Sequence, residues 1–161
     1  MEASQTVPEL VAAAQTDAKT FENRISDTQT DADDRCAAYI ALETASVDTF
    51  TLFEARMQHH FKRGPFSRKL RAALLEAGHS DLADRIHQYY LAINVLKHGT
   101  GASYRELRDN PKTLFPVKRV EGPHTQEENA PSDLIDIGIP GFFDGMAATL
   151  LEAHTFLETN T

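Results

Sequence analysis

Cysteine is almost absent from this sequence, since Cys36 is the only one among 161 residues. A single cysteine excludes an internal disulfide and a cysteine-rich zinc site. It is compatible with a reducing compartment, where structural disulfides are rare. Cys36 falls on the apolar face of a predicted helix, and we therefore interpret it as a packing residue rather than a nucleophile.

Positive charge is scarce as well. The chain has 16 lysines and arginines against 24 aspartates and glutamates, which gives a formal net charge of −8 and a pI of about 5.3. This balance excludes a protein that coats nucleic acid with its whole surface. It also disfavours an anionic membrane surface as a partner.

Long apolar runs are missing too, and we predict that the chain has no leader peptide. No uninterrupted apolar stretch approaches the roughly 20 residues that span a bilayer. The first fourteen residues carry Glu2 and Glu9 and no lysine or arginine, unlike a secretory signal. We therefore predict no membrane partner and a cytoplasmic location.

The common catalytic and metal-binding motifs do not occur. The chain has no P-loop, GxGxxG, GxSxG or HExxH pattern. Glu152 and His154 are one residue too close for the Glu-x-x-His spacing of di-iron bundles. His59 and His60 are consecutive, so on a helix their side chains diverge by about 100° and do not share one ion. We predict no metal site and no cofactor.

The residues that are present predict a mainly α protein. The length and an apolar content of 41% fit one domain over residues 1–161 with its own core. Ser67 is the predicted N-cap of a short helix, and Ser103 opens a further short helical piece. We predict an up-and-down bundle of about five helices. Apolar residues recur at helical spacing in the stretches 8–25, 33–60, 67–78, 80–99 and 141–158.

The region 113–139 has a different pattern. Residues 113–120 and 134–139 form short β-branched or alternating runs. Between them, the segment 121–133 is polar and contains glycine and proline. We predict a small β-hairpin with a mobile loop, inserted before the last helix. Pro116 weakens the first run as a central strand, because proline has no N–H.

A polar strip runs along the fourth predicted helix. His87, Asn94 and His98 share one face with Leu91, because residues three, four and seven apart are neighbours on a helix. The strip borders the apolar stripe, so a partner helix or a second subunit is suited to cover it. The alternative is that Asn94 and His98 satisfy one another or the end of the helix.

The segment Asn94-Val95-Leu96-Lys97-His98-Gly99, late in a long helix, resembles the HEPN superfamily. That resemblance implies a helical bundle that is commonly dimeric. Active members share an Arg-Asn-x-x-x-His pattern, in which the Arg and the His act in metal-independent RNA cleavage, usually at a dimer interface. Asn94 matches the residue after the Arg, and His98 matches the histidine. Ile93 stands where the Arg occurs, and an aliphatic side chain does not hold a phosphate.

RNA cleavage of the kind that this resemblance implies requires a general base and a cation. His98 is the candidate general base, with Asn94 beside it. Arg105, beyond the turn that ends the helix, is the candidate to fold back and replace the missing arginine. Lys97 is adjacent in sequence but diverges in direction, and Arg85 points away from this face.

Basic residues gather in one segment of this acidic protein. Residues 59–71 contain five lysines and arginines and no acidic residue. Beside aromatic residues, such cations can hold a phosphate backbone and stack bases. The alternative is a solvated turn whose cations favour a helix end. The group comprises His59, His60 and five lysines and arginines, and we call those five the basic cluster: Lys62, Arg63, Arg68, Lys69 and Arg71.

Two carboxylates fall near the apolar face of the second predicted helix. Glu43 and Glu54 would each need a partner if they were fully buried. Glutamate is mostly exposed in proteins, so we interpret both as bordering the core and reaching water.

Together these patterns favour a HEPN-like binding or regulatory module that is a homodimer, with RNA as a candidate partner. One alternative is a metal-independent ribonuclease with His98 as general base. Another is a bundle that binds a small molecule or a metal. The predicted catalytic residues are His98, Asn94 and Arg105. The predicted binding residues are His87, Lys97, Arg63, Arg68 and Arg71.

Overall fold

The computed structural model describes residues 5–120, 131–139 and 141–159. Within those ranges the chain is mainly helical, and the helical bundle predicted from the apolar spacing is confirmed. None of the helices in this part of the chain is both long and apolar enough to cross a bilayer. The α-helices are α1 (Val7–Ser26), α2 (Ala32–Met57), α3 (Phe66–Glu76), α4 (Ser80–His98), α5 (Ala102–Arg108) and α6 (Phe142–Thr159).

Local sequence explains where the first two helices begin. The Thr6 hydroxyl oxygen accepts a hydrogen bond from the Glu9 N–H at 3.2 Å, and the Glu9 carboxylate accepts one from the Thr6 N–H. Asp31 caps α2 by accepting from the Asp34 N–H at 2.8 Å. The Arg35 guanidinium donates to the main-chain carbonyl of Ile25 at the end of α1 and to two carbonyls of the connecting turn. The turn is therefore fixed at both ends, and α1 packs along α2.

The middle of the bundle is formed by α4 and α6. Helix α6 packs against α1, α2 and α4, and its buried side chains join one continuous core. Gly145 in α6 faces Tyr89 in α4, where a Cβ atom would lie 2.4 Å from the Tyr89 hydroxyl oxygen. The Tyr89 ring also packs against the rings of Phe115 and Phe142. The glycine thus sets how closely these two helices approach.

The predicted β-hairpin over residues 113–139 is wrong for the residues that the structure describes. They contain no strand, only one isolated antiparallel bridge between Val117 and Ile135. Pro116 has no N–H with which to extend a ladder from that bridge. Residues 121–130 of the predicted loop lie outside the described residues.

The described residues of the region 113–139 are attached to the core by buried side chains and not by the hydrogen bonds of a sheet. Phe115 and Ile135 are both buried in the core. The Tyr104 hydroxyl, buried in α5, donates to the Lys118 carbonyl at 2.5 Å and accepts from the Val120 N–H at 2.7 Å. The alternating apolar residues therefore attach an irregular segment to the core.

The two predicted serine N-caps are wrong. Pro65 is the N-cap of α3 and Gly101 is the N-cap of α5, so Ser67 and Ser103 each lie at the second helical position. Their hydroxyls form hydrogen bonds to other helices, Ser67 to α2 and Ser103 to α4. Tertiary partners have replaced the local capping bonds.

Candidate functional site

Two of the three residues of the polar strip on α4 are covered by α5 of the same chain. His87 Nε2 lies 2.6 Å from Glu106 Oε2, and the Asn94 amide donates to the Ser103 hydroxyl oxygen at 3.1 Å. Both partners lie on α5, which follows α4 after a three-residue turn. For His87 and Asn94, the element that covers the strip is therefore a helix of this chain.

His98 and Lys97 are exposed at the end of α4. The helix stops at Gly99, whose φ of +72° is the left-handed conformation that favours glycine. Arg105 is exposed on α5. Across the described part of the chain, no hydrogen bond joins His98 to Asn94 or to Arg105. The three predicted catalytic residues are thus not linked into one hydrogen-bonded group.

Ile93, which stands where the pattern that this segment resembles has arginine, lies in the core with 1% of its surface exposed. The other cation weighed for that role, Arg85, forms ion pairs with Asp81 and Glu152. Its guanidinium also donates to Thr149 in α6. Arg85 therefore links α4 to α6, and these partners do not belong to the polar strip.

The basic cluster lies in the turn before α3 and in the first turns of that helix. All five side chains are exposed, and none has an ion pair or a side-chain hydrogen bond among residues 5–120, 131–139 and 141–159. The aliphatic stem of Lys69 lies over Gly64, where a Cβ atom would be 2.8 Å from Lys69 Cε. Positive charge without a counterion on the protein favours an anionic partner.

A cleft of about 440 Å³ opens between α2, the start of α3 and α4, and we call it the Glu54 cleft. The Glu54 carboxylate accepts a hydrogen bond from Ser67 Oγ at 3.1 Å. Burial raises the pKa of Glu54, while the Ser67 hydrogen bond and the Lys97 charge oppose that rise. Tyr90 also lines the cleft, and its ring stacks with that of His87 at 6.1 Å. The cleft is thereby connected to the polar strip.

Sequence reasoning identified Glu54 but missed the cleft. Glu54 is half-buried, which agrees with the prediction that it borders the core and reaches water. Ser67 is 13 residues away in sequence, and only the packing of α3 on α2 brings its hydroxyl to the carboxylate. No periodic pattern reports a contact of that kind.

The second carboxylate, Glu43, holds the segment 131–139 against α2. Glu43 Oε2 accepts a hydrogen bond from the Ser132 N–H at 2.8 Å. Burial raises the pKa of Glu43 to about 7, although the Ser132 hydrogen bond acts in the opposite direction. Nearby, the Tyr39 ring packs on Gly138, where a Cβ atom would lie 2.5 Å from Tyr39 Cε1.

A histidine group lies where the 3₁₀ turn Gln58–His60 meets the end of α6. His60 Nε2 is buried and has no hydrogen-bond partner in the described chain. Glu158 Oε1 lies 3.9 Å from His60 Nε2 and 3.5 Å from His154 Nε2. Burial and the nearby His59 lower the pKa of His60. Among all described residues, no three histidine, cysteine or acidic side chains are placed to hold one metal ion.

Comparison with known proteins identifies no relative of this chain. The chain matches no family model, no curated protein and no solved structure. The function proposed below therefore depends on the geometry and charge of the described residues, together with the resemblance of the segment 94–99.

Proposed function

We propose that this chain is a HEPN-like binding module that acts as a homodimer and holds RNA through the basic cluster. The observation that carries the proposal is the unpaired positive charge of that cluster on a protein of net charge −8. Five exposed cations within ten residues offer several contacts to a chain of phosphates. The acidic remainder of the molecule confines RNA to this end of the bundle.

The surroundings of the basic cluster favour single-stranded RNA over a simple anion. Single-stranded RNA needs cations for its phosphates and surfaces for its bases. The Glu54 cleft supplies such a surface, and its lining residues Pro65 and Ser67 lie in sequence between Arg63 and Arg68. Phosphate and base contacts are thereby available side by side.

Binding rather than cleavage is favoured by the residues of α4. Cleavage needs a cation that stabilises the charge developing on the phosphate. Ile93 is in the core, and Arg105 has no hydrogen bond to His98 in the described residues. The Asn94 amide is occupied by Ser103. His98 thus lacks the arrangement that the family uses for catalysis.

The homodimer is the part of the proposal that rests on the resemblance. The exposed end of α4, with Lys97 and His98, is the surface that the family's dimer would use. Light scattering over a range of protein concentrations tests it, and a mass of about 36 kDa, twice 17.9 kDa, is expected. A mass that stays at one chain removes the homodimer from the proposal.

Fluorescence anisotropy with a labelled single-stranded U12 RNA tests the binding. We expect affinity to fall with salt, with a log–log slope of up to about −3.5 if five phosphates are held at ~0.7 each. Arg68→Glu combined with Arg71→Glu should weaken binding at least about tenfold. The matched control Lys19→Glu with Lys112→Glu makes the same charge change elsewhere and should shift affinity less than about twofold.

Two results would overturn this function. Affinity that responds equally to the charge reversals in the basic cluster and in the control pair would show that no local RNA site exists. RNA cut by the purified protein in the presence of a chelator, with loss of cutting in His98→Ala, would replace the binding module by a ribonuclease.

A further inference from the structure

The basic cluster accounts for contacts to phosphate but leaves the Glu54 cleft without a role. A half-buried carboxylate that accepts from Ser67, the sequence neighbour of Arg68, does not assist phosphate binding. It accepts hydrogen bonds, however, and a nucleobase edge can donate them. From this juxtaposition we propose that the Glu54 cleft binds a guanine base of single-stranded RNA. The proposal rests on the RNA binding proposed above and names the base that is read.

The carboxylate selects guanine through the order of donors on the base edge. Guanine presents N1–H and the N2 amino group side by side, and these match the two oxygens of one carboxylate. Adenine and cytosine each place an acceptor nitrogen beside their amino group, and uracil flanks its one N–H with two carbonyls. Ser67 occupies one acceptor position on Glu54 Oε2, which leaves lone pairs on both oxygens.

The walls of the cleft suit a planar ring. Tyr90 contributes an aromatic ring to the lining, and Pro65 and Phe66 add apolar surface. Bases of single-stranded RNA stack on aromatic side chains in this way. A volume of about 440 Å³ lies within the roughly 300–1,000 Å³ of known ligand pockets.

Two cations are associated with the cleft, one through the chain sequence and one through its charge. Arg68 directly follows Ser67 in α3. Lys97, at the end of α4, is close enough for its charge to act on the Glu54 carboxylate. A nucleotide with its base against Glu54 therefore lies next to a segment of the chain that supplies positive charge for its phosphates.

The test uses the full chain and four labelled RNAs, which are U12 and U12 with one central guanosine, adenosine or inosine. Anisotropy should show about tenfold tighter binding for the guanosine RNA than for U12, the scale of one bidentate pair. The adenosine RNA should bind less than about threefold more tightly than U12. The inosine RNA, whose base lacks the N2 amino group, should show an intermediate gain in affinity. Glu54→Gln should reduce the guanosine gain to less than about twofold while U12 affinity persists. Glu76→Gln, an exposed carboxylate at the end of α3, is the matched control and should keep the gain.

A second measurement does not depend on RNA binding. Titration of 5′-GMP into the ¹⁵N-labelled protein should shift the amide signals of Ser67 and Tyr90, and Glu54→Gln should abolish the shifts. Circular dichroism of that variant checks that it folds. Tyr90→Leu should weaken 5′-GMP binding with Glu54 in place, because stacking is lost.

The outcomes separate the two proposals. Salt-dependent U12 binding with no guanosine gain, or with a gain that Glu54→Gln leaves intact, overturns the guanine site and leaves the RNA-binding module standing. Glu54-dependent 5′-GMP shifts without RNA binding support the guanine site and overturn the RNA-binding module. Absence of Glu54-dependent effects with both 5′-GMP and the guanosine RNA overturns the guanine site.

Discussion

The amide of Asn94 donates to the hydroxyl oxygen of Ser103 at 3.1 Å, and this hydrogen bond joins the late part of α4 to the start of α5. Asn94 is half-buried in this contact. The residue that matches the HEPN motif therefore has a structural partner within its own chain. Its substitution is expected to act first on stability.

Asn94→Ala and Ser103→Ala should each lower the free energy of unfolding by about 0.5–1.5 kcal/mol, the usual net contribution of a hydrogen bond. The double variant should lose less than the sum, because both changes remove the same bond. Urea denaturation of all four proteins gives the coupling energy. His98→Ala, an exposed position on the same helix, should stay within about 0.5 kcal/mol of the parent. Additive losses in the cycle would contradict the contact.

Replacement of Glu43 should stabilise the protein at high pH. Burial raises the pKa of Glu43 from 4.5 to about 7, so the folded state binds more protons than the unfolded state between those values. Its contribution to stability is full below about pH 4.5 and is lost as the pH rises through about 7. A shift of that size corresponds to about 3 kcal/mol, which partial exposure reduces to about 1–2 kcal/mol.

Urea denaturation of Glu43→Gln at pH 5 and pH 8 measures this effect. The variant keeps an acceptor for the Ser132 N–H. Its free energy of unfolding relative to the parent should be about 1–2 kcal/mol higher at pH 8 than at pH 5. Asp48→Asn, an exposed change on the same helix, should show no such difference in unfolding free energy between the two pH values. Parallel stabilities of parent and Glu43→Gln at both pH values would disprove a buried ionisation at this position.

His60 should make the protein sensitive to acid. Burial, together with His59, lowers the pKa of His60, and the nearby Glu158 only partly opposes this. A histidine with a lowered pKa contributes stability that is present above its unfolded pKa of about 6.5 and is lost as the pH falls through the folded value. His60→Phe should therefore lose less stability between pH 7 and pH 5 than the parent. Thermal unfolding at both values measures the difference, and an equal loss would rule out His60 as the source.

Gly145→Ala should destabilise the contact between α4 and α6. The new Cβ atom would lie 2.4 Å from the Tyr89 hydroxyl oxygen, although the nearest ring carbon is 3.6 Å away. Overpacking of this kind costs about 1–3 kcal/mol, and alanine recovers up to ~1 kcal/mol of helix propensity.

Removal of the Tyr89 hydroxyl should reverse the sign of that change. In a Tyr89→Phe background, Gly145→Ala should raise the free energy of unfolding by up to ~1 kcal/mol, because the clash is gone and the propensity gain remains. Loss of stability of equal size in both backgrounds would show that the hydroxyl does not set the approach of the helices.

The helices were predictable because their apolar residues report burial directly. Tyr89 and Ile93, four residues apart, lie on one buried side of α4 in the structure, as the spacing indicates. The hairpin was not predictable on the same basis, since apolar alternation reports only that a segment is buried. Around Val117 and Ile135, attachment to the core came without a ladder of strand hydrogen bonds.

The candidate site shows a similar division. Sequence spacing identified the polar strip and the basic cluster, because helix geometry and local charge are read along the chain. It did not identify the partners of Asn94 and Glu54, which are serines brought close by tertiary packing. A capping motif was predicted at each of these serines, and a contact to another helix replaced it.

The burial of Ile93 has an evolutionary and engineering consequence. Completing the Arg-Asn-x-x-x-His pattern by Ile93→Arg would place an unpaired charge in the packed core, at a position with 1% of its surface exposed. An uncompensated buried charge costs several kcal/mol, a large share of the roughly 5–15 kcal/mol that holds a domain together. To accommodate the arginine of this pattern, the chain therefore requires rotation or repacking of α4, and no exchange of a single side chain achieves it.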